Sequence, residues 1–335
     1  MSLALQGGGA HGAFTWGVLD RLLKDERIAI EAVSGASAGA MNAAALAAGY
    51  AEGGREGARR ALARFWTSVS EHAALSPFRR SLLDRLLGRW NLDHAPGYLW
   101  FSLFSRLSSP YQSNPLGYHP LREILADQID IRAARACRAL RVFVTATNVR
   151  TGRPRVFAPD ELSLDVLLAS ACLPHLYQAV EIDGEPYWDG GYMGNPAIWP
   201  LIYGCDTADV VLIAINPLVR DGVPRSALAI DNRMNEIAFN ASLMHEMRAI
   251  VFVQRLLEQG ALKEPFAARY KNMRIHVIGD EEKMRALGVA SKLNAERDFL
   301  EYLKAVGRDS AERWLAATID AVGVRSSVDV RARFL

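Results

Sequence analysis

Cysteine is scarce in this chain of 335 residues: three are present, Cys137, Cys172 and Cys205, with no CxxC pair. That argues against a disulfide framework or a cysteine zinc site and fits a reducing compartment. An excess of charge is missing too. Lys and Arg number 39 against 37 Asp and Glu, a net +2, so no basic balance points to nucleic acid. No apolar run reaches the roughly 18 residues of a membrane-spanning helix. The opening MSLALQGGGAHG lacks the basic stretch and longer apolar run of a signal peptide. Its few apolar residues read as a short buried strand. With 50% hydrophobic and 23% charged residues, the chain is neither disordered nor collagenous, and it is long enough to bury a core.

What is present is an alternation of strand and helix patterns. Residues 3–5 read as a strand, and Phe14, Val18, Leu19, Leu22 and Leu23 recur at helical spacing over 12–24. A second strand is expected at 28–34. A helix of mostly alanine follows at 38–51, its small side chains suited to close approach to a sheet. This order implies a parallel sheet with helices on its faces. A further helix is expected at 59–69. Residues 78–118 then hold eight aromatics, among them Trp90, Tyr98, Trp100, Phe101 and Phe104, and are broken by repeated prolines. They read as an insertion of short helices and loops, spanning about 75–120. Strands are expected at 141–147, 156–157, 209–215 and 273–278. Helices are expected at 164–172, 234–259 and 294–321. Asp183-Gly184, between 180–182 and 186–188, is a hairpin turn signal. No internal repeat or linker divides the chain, so the expectation is one domain over 1–335 with a mostly helical part from about 220.

Gly7, Gly8, Gly9, Ala10, His11 and Gly12 follow the first strand and open a helix, formally satisfying GxGxxG. A dinucleotide site also needs an acidic residue ending the second strand, and none stands there. A phosphate-binding P-loop needs a lysine after Gly12, which is absent. Two readings remain: a tight turn needing positive φ, or backbone N–H groups aimed at an anion at a helix N-terminus.

Gly35-Ala36-Ser37-Ala38-Gly39 matches GxSxG between a strand and a helix. Ser37 is then either a helix cap or a nucleophile on a sharp strand–helix turn. Adjacent parallel strands would bring it beside the 7–9 loop, where N–H donors serve acyl transfer. A serine nucleophile needs a base. Seven histidines are present, none with a recognisable local signature. Asp189, in Trp188-Asp189-Gly190-Gly191, sits at a strand end before two glycines; it is a turn-former or the base. No His/Cys/Asp/Glu cluster has metal-ligand spacing.

Taken together, GGGAHG at 7–12, GASAG at 35–39 and DGG at 189–191 resemble the patatin-like phospholipase family. Ala171-Cys172-Leu173-Pro174 before the aspartate and Asn195-Pro196 after it add to the likeness. The resemblance covers about the first 200 residues, and the last 120 or so match no motif. It implies a three-layer α/β/α fold with a mainly parallel central sheet. It also implies a serine lipid acyl hydrolase, phospholipase- or lysophospholipase-like, with no cofactor and no metal in the chemistry. Ser37 would be the nucleophile and Asp189 the base of a dyad without histidine. The amides of Gly7, Gly8 and Gly9 would form the oxyanion hole, with Gly12, Gly35, Gly39, Gly190 and Gly191 as motif glycines. His11 stands where the family often carries Arg or Lys. It replaces that charge only when protonated, which a helix N-terminus disfavours; otherwise it contributes its backbone N–H and packs.

The expected partner is an acyl-ester lipid, met at a membrane surface by a cytoplasmic protein. The aromatic insertion would supply an acyl pocket, a cap or a membrane-touching surface, or simply core. Two rivals stand beside this reading. One is an α/β-hydrolase with a Ser-Asp-His triad through His245 or His276, for which Ser37 comes very early. The other is a non-catalytic lipid-binding regulator, against which intact Ser37, Asp189 and Gly7–Gly9 speak.

Overall fold

Strand β1 (Ser2–Leu5) runs into the glycine loop, whose end forms a 3-10 turn, Gly9–His11, before α1 (Gly12–Leu22). Strand β2 (Ala32–Ala36) delivers Ser37 and then α2 (Ala38–Ala73). The helices expected at 38–51 and 59–69 both lie in this run. They meet at a break where Gly53 (φ −159°, ψ 32°) and Gly54 (φ 58°, ψ −145°) leave helical geometry. The computed structural model describes the whole chain except residues 75, 77, 82–83, 86, 94, 105–106 and 265–268, and the side chains at 101–104.

In the insertion region come α3 (Pro96–Phe104) and a short turn of helix, Pro110–Ser113; α4 (Pro120–Gln128) and α5 (Ile131–Ala136) follow. Next are β3 (Arg141–Asn148), β4 (Pro154–Phe157), α6 (Leu164–Ser170), β5 (Val180–Ile182), β6 (Glu185–Asp189) and α7 (Trp199–Gly204). The chain continues through β7 (Asp209–Ile213), α8 (Ala227–Glu258), β8 (Arg274–Ile278), α9 (Arg297–Thr318) and α10 (Val330–Phe334). Helix α8 starts well before the expected 234 because Ser226 caps it, its side chain accepting the Ala229 N–H at 3.2 Å. The signal was the serine, ahead of a run that is too exposed to show a clean apolar stripe.

The strands order as β5-β6-β3-β2-β1-β7-β8, with β4 also on β3. β3, β2, β1, β7 and β8 are parallel, and the β5–β6 hairpin adds antiparallel to β3. Asp183 (φ 54°) and Gly184 (φ 77°) turn that hairpin, the pair of positive φ angles that suits strand twist. Alternate strand residues face opposite layers. Leu3, Leu5, Val33, Val144, Val211 and Ile213 share one core cluster with α1, α2 and α9. Ala4, Ala32, Val210, Leu212 and Ile275 share another with α7, α8 and α10. A mixed, mainly parallel sheet covered on both faces by helices results, as expected.

The aromatic insertion splits in two. Trp90 stacks on Phe299 and Tyr302 of α9, with ring centroids 5.2 and 5.1 Å apart. The Arg80 guanidinium lies 4.5 Å over Trp90 and pairs with Glu296 at 2.6 Å. Trp90 is therefore packing. Trp100 is 69% exposed. The side chains of Phe101 and Phe104 lie outside the described residues. Among the described residues no helix is long and apolar enough to cross a membrane.

Candidate active site

Register places the candidate residues at one level of the sheet. Leu5 pairs with Gly35, Ala36 with Thr145, and Ala146 with Asp189. One step further, Gly7, Ser37 and Asp189 meet at the carboxyl ends of the parallel strands. That is where ligands bind in open α/β sheets. A Cβ on Gly7 would lie 2.8 Å from that of Ser37, so only glycine lets the loop come this close.

Ser37 has φ 52° and ψ −127°, a left-handed conformation that is strained in a non-glycine residue. Its side chain makes no capping bond to α2, which removes the helix-cap role left open by the sequence. Its backbone N–H instead goes to Ser170 Oγ at 2.9 Å, and that hydroxyl donates to the Thr145 carbonyl at 2.6 Å. The elbow is thus pinned from β3 and α6.

Asp189 is 1% exposed. Its backbone N–H donates to the Cys172 carbonyl at 2.8 Å, and its own carbonyl accepts from Thr147 Oγ1 at 2.8 Å. A Cβ on Gly190 would sit 2.0 Å from the Thr145 carbonyl oxygen, so the residue after Asp189 has to be glycine. The two carboxylate oxygens differ. Oδ1 accepts the Gly191 N–H at 2.7 Å, which is the turn-forming role. Oδ2 is buried with no hydrogen-bond partner among the described residues. Burial pushes the carboxyl's pKa up from 3.8 to about 6. The Gly191 N–H, the nearby Ser37 hydroxyl and the Lys292 charge hold it down.

The glycine loop is clamped by amides. Gly7 N–H donates to Asn195 Oδ1 at 2.6 Å, and the Gly7 carbonyl accepts from Asn216 Nδ2 at 2.9 Å. Gln6 Oε1 accepts the N–H groups of Ile215 and Asn216, both at 2.9 Å, and Gln6 Nε2 donates to Asn240 Oδ1 at 3.1 Å. Of the three glycine amides expected to face an oxyanion, that of Gly7 is therefore already engaged. The N–H groups of Gly8, Gly9 and Ala38 engage no acceptor among the described residues.

His11 is 3% exposed. Its Nε2 lies 2.8 Å from Ser291 Oγ, whose proton goes to the Gly288 carbonyl at 2.7 Å. Ser291 must therefore accept, so Nε2 carries the hydrogen and Nδ1 is bare. Burial first, then the charges of Lys292 and Arg220, push the imidazole pKa well below 6.5. His11 is a neutral packing residue, and its backbone N–H, expected to be available, donates to the Gly8 carbonyl at 3.2 Å. His276 Nε2 is 3.0 Å from Asp209 Oδ1 at the opposite, amino end of β7. His245 is exposed on α8. Cys137, Cys172 and Cys205 are free and buried.

A family model described as Patatin-like phospholipase matches residues 3–202. The chain belongs to the patatin-like phospholipase family. The layered, mainly parallel sheet is the patatin-like α/β/α fold. Comparison with curated proteins gives no match. Among solved structures, this patatin-like chain is similar to VipD from Legionella pneumophila, at 16% identity and a TM-score of 0.36. That likeness covers 90% of this chain and 66% of the VipD chain, just under two thirds.

Sequence reasoning missed Gln6, Ser170, Asn216 and Asn240. Gln6 and Asn216 each carried a faint signal, a polar side chain ending an apolar strand. Lys292, in the part that matches no motif, carried none.

Proposed function

We propose that the chain is a serine lipid acyl hydrolase that cleaves a phospholipid or lysophospholipid ester through an acyl-enzyme. Ser37 is the nucleophile and Asp189 the base. The reading rests on one observation above others: a strained, uncapped serine beside a buried carboxylate that has one oxygen unpartnered. As Ser37 Oγ attacks the ester carbonyl, Asp189 Oδ2 takes its proton. The carbonyl oxygen becomes an oxyanion and accepts from the amides of Gly8, Gly9 and Ala38. Asp189 returns the proton to the leaving alcohol, then draws one from the water that releases the fatty acid. A carboxyl with a pKa of about 6 is a better base near neutral pH than an ordinary one. His276 pairs with Asp209 at the amino end of β7, away from Ser37 at the carboxyl end of β2, which speaks against a triad, and exposed Trp100 suits a cap over an acyl chain.

A fluorophosphonate probe tests the reading. It should label Ser37 and block turnover of p-nitrophenyl butyrate, and Ser37→Ala should abolish both with an unchanged thermal melt. Labelling that persists on another serine overturns the assignment. Absence of ester turnover favours the lipid-binding regulator.

A further inference from the structure

With His11 neutral and the Gly7 amide engaged, the glycine loop itself carries no positive charge. A cation reaches it from the far end of the chain. Lys292 lies against the loop: a Cβ on Gly9, which has φ 57°, would be 2.3 Å from the Lys292 carbonyl oxygen. Its side chain runs toward the other half of the site. Lys292 Nζ is 5.1 Å from the centre of the Phe239 ring, and the edge of that ring would be 2.5 Å from a Cβ on Gly191. Gly191 is the residue whose N–H holds Asp189 Oδ1. Lys292 thus spans from the oxyanion loop to the aspartate turn.

Its ammonium meets no carboxylate at contact distance among the described residues. Nζ donates one long hydrogen bond to α8, to Asn235 Oδ1 at 3.5 Å. The titratable groups around it are Glu236 on α8, Arg220 after β7, Asp189 and the neutral His11. Glu236 is taken by two arginines, at 2.5 Å from Arg220 and 3.2 Å from Arg233. Lys292 forms no ion pair among the described residues. A cation in a poorly hydrated site, beside vacant N–H donors and not neutralised by a carboxylate contact, is placed to meet charge that appears only during reaction.

We propose that Lys292 is the cation of this acyl-transfer site, a positioning residue that acts through Asp189 and the oxyanion loop on the charge developed at the substrate carbonyl. The proposal rests on the serine hydrolase reading above. Lys292 also holds Asp189 toward the carboxylate, while burial brings its own pKa down to about 8. The working pair, Asp189 ionised and Lys292 protonated, therefore exists between about pH 6 and about pH 8.

The experiment is the pH profile of p-nitrophenyl butyrate hydrolysis by the full chain, its Lys292→Met and Lys292→Arg variants, and Ser37→Ala. Wild type should give a bell with limbs near pH 6 and 8. Lys292→Met should lose about tenfold or more in kcat at neutral pH with KM little changed, a loss confined to the transition state. Its acid limb should move up and its alkaline limb vanish. Lys292→Arg should keep the acid limb and most of kcat, and push the alkaline limb upward because guanidinium stays charged. A Lys292→Met enzyme with both limbs unmoved overturns the proposal, whether or not its rate falls, since packing loss alone leaves the limbs in place. If that variant does not fold, Lys292→Arg decides: an alkaline limb at the wild-type position overturns it. Turnover retained by Ser37→Ala instead overturns the underlying hydrolase reading.

Discussion

Replacing Asp189 with Asn should make this protein more stable as it makes it inactive. The carboxyl titrates at about 6 in the fold against an ordinary 3.8, a rise of about two units. At 1.36 kcal/mol per unit, holding the buried carboxylate costs about 3 kcal/mol. The folded pKa lies above the unfolded one, so between those two values the folded state binds more protons. Stability then falls as pH climbs through that window, and the full cost is present above about pH 6. Asn keeps the shape: its oxygen accepts the Gly191 N–H, and its NH₂ faces Ser37. Urea unfolding at about pH 7.5 should show Asp189→Asn more stable than wild type by about 3 kcal/mol. At about pH 4 the two should agree within about 1 kcal/mol. Turnover should fall at least ~10²-fold. A stability gap that is equal at the two pH values, or of opposite sign at neutral pH, refutes the argument that burial strains this carboxylate.

His245→Ala should leave turnover intact, and His276→Ala should cost about 1–3 kcal/mol of stability by stripping Asp209 of a buried partner, with kcat of the folded enzyme unchanged; either variant being as inactive as Ser37→Ala would restore a triad. Asn195→Ala should release the Gly7 amide and lower kcat about tenfold without changing the acid limb of the pH profile, as steady-state kinetics will show. Trp100→Ala should slow long-chain esters more than p-nitrophenyl butyrate, since each sheltered CH₂ is worth about 0.8 kcal/mol; equal losses would assign Trp100 to packing.

Sequence pattern carried the fold well where one physical rule dominated. Buried β-branched strands, alanine-rich α2 and the Asp183-Gly184 turn each had a single explanation, and the structure has each of them. Boundaries slipped where local chemistry outweighed periodicity, as at the Ser226 cap and the Gly53-Gly54 break. The candidate site was legible at Ser37, Asp189 and the glycines because backbone constraints write themselves as glycine. The amide clamp was much less so. Gln6, Asn195, Asn216 and Asn240 come from four separate segments, and no local pattern tells an amide that faces a neighbour from one that faces solvent. Lys292 was illegible for the same reason, since its importance is its distance from Gly9 and Phe239.

The clamp also sets an order of assembly. Every motif that marks the chemistry has been synthesised by Gly191, yet the loop that would receive the oxyanion is braced by Asn216 and Asn240 and rests against Lys292. Strand β1, which leads into that loop, pairs on one edge with β7. A nascent chain that has emerged only as far as the family-matched segment, residues 3–202, therefore carries the proposed nucleophile and base on an unfinished frame. Its first strand lacks a neighbour and its glycine loop lacks two of its holding amides. On the proposed reading, esterase competence would wait until the segment after residue 202 docks and braces the glycine loop.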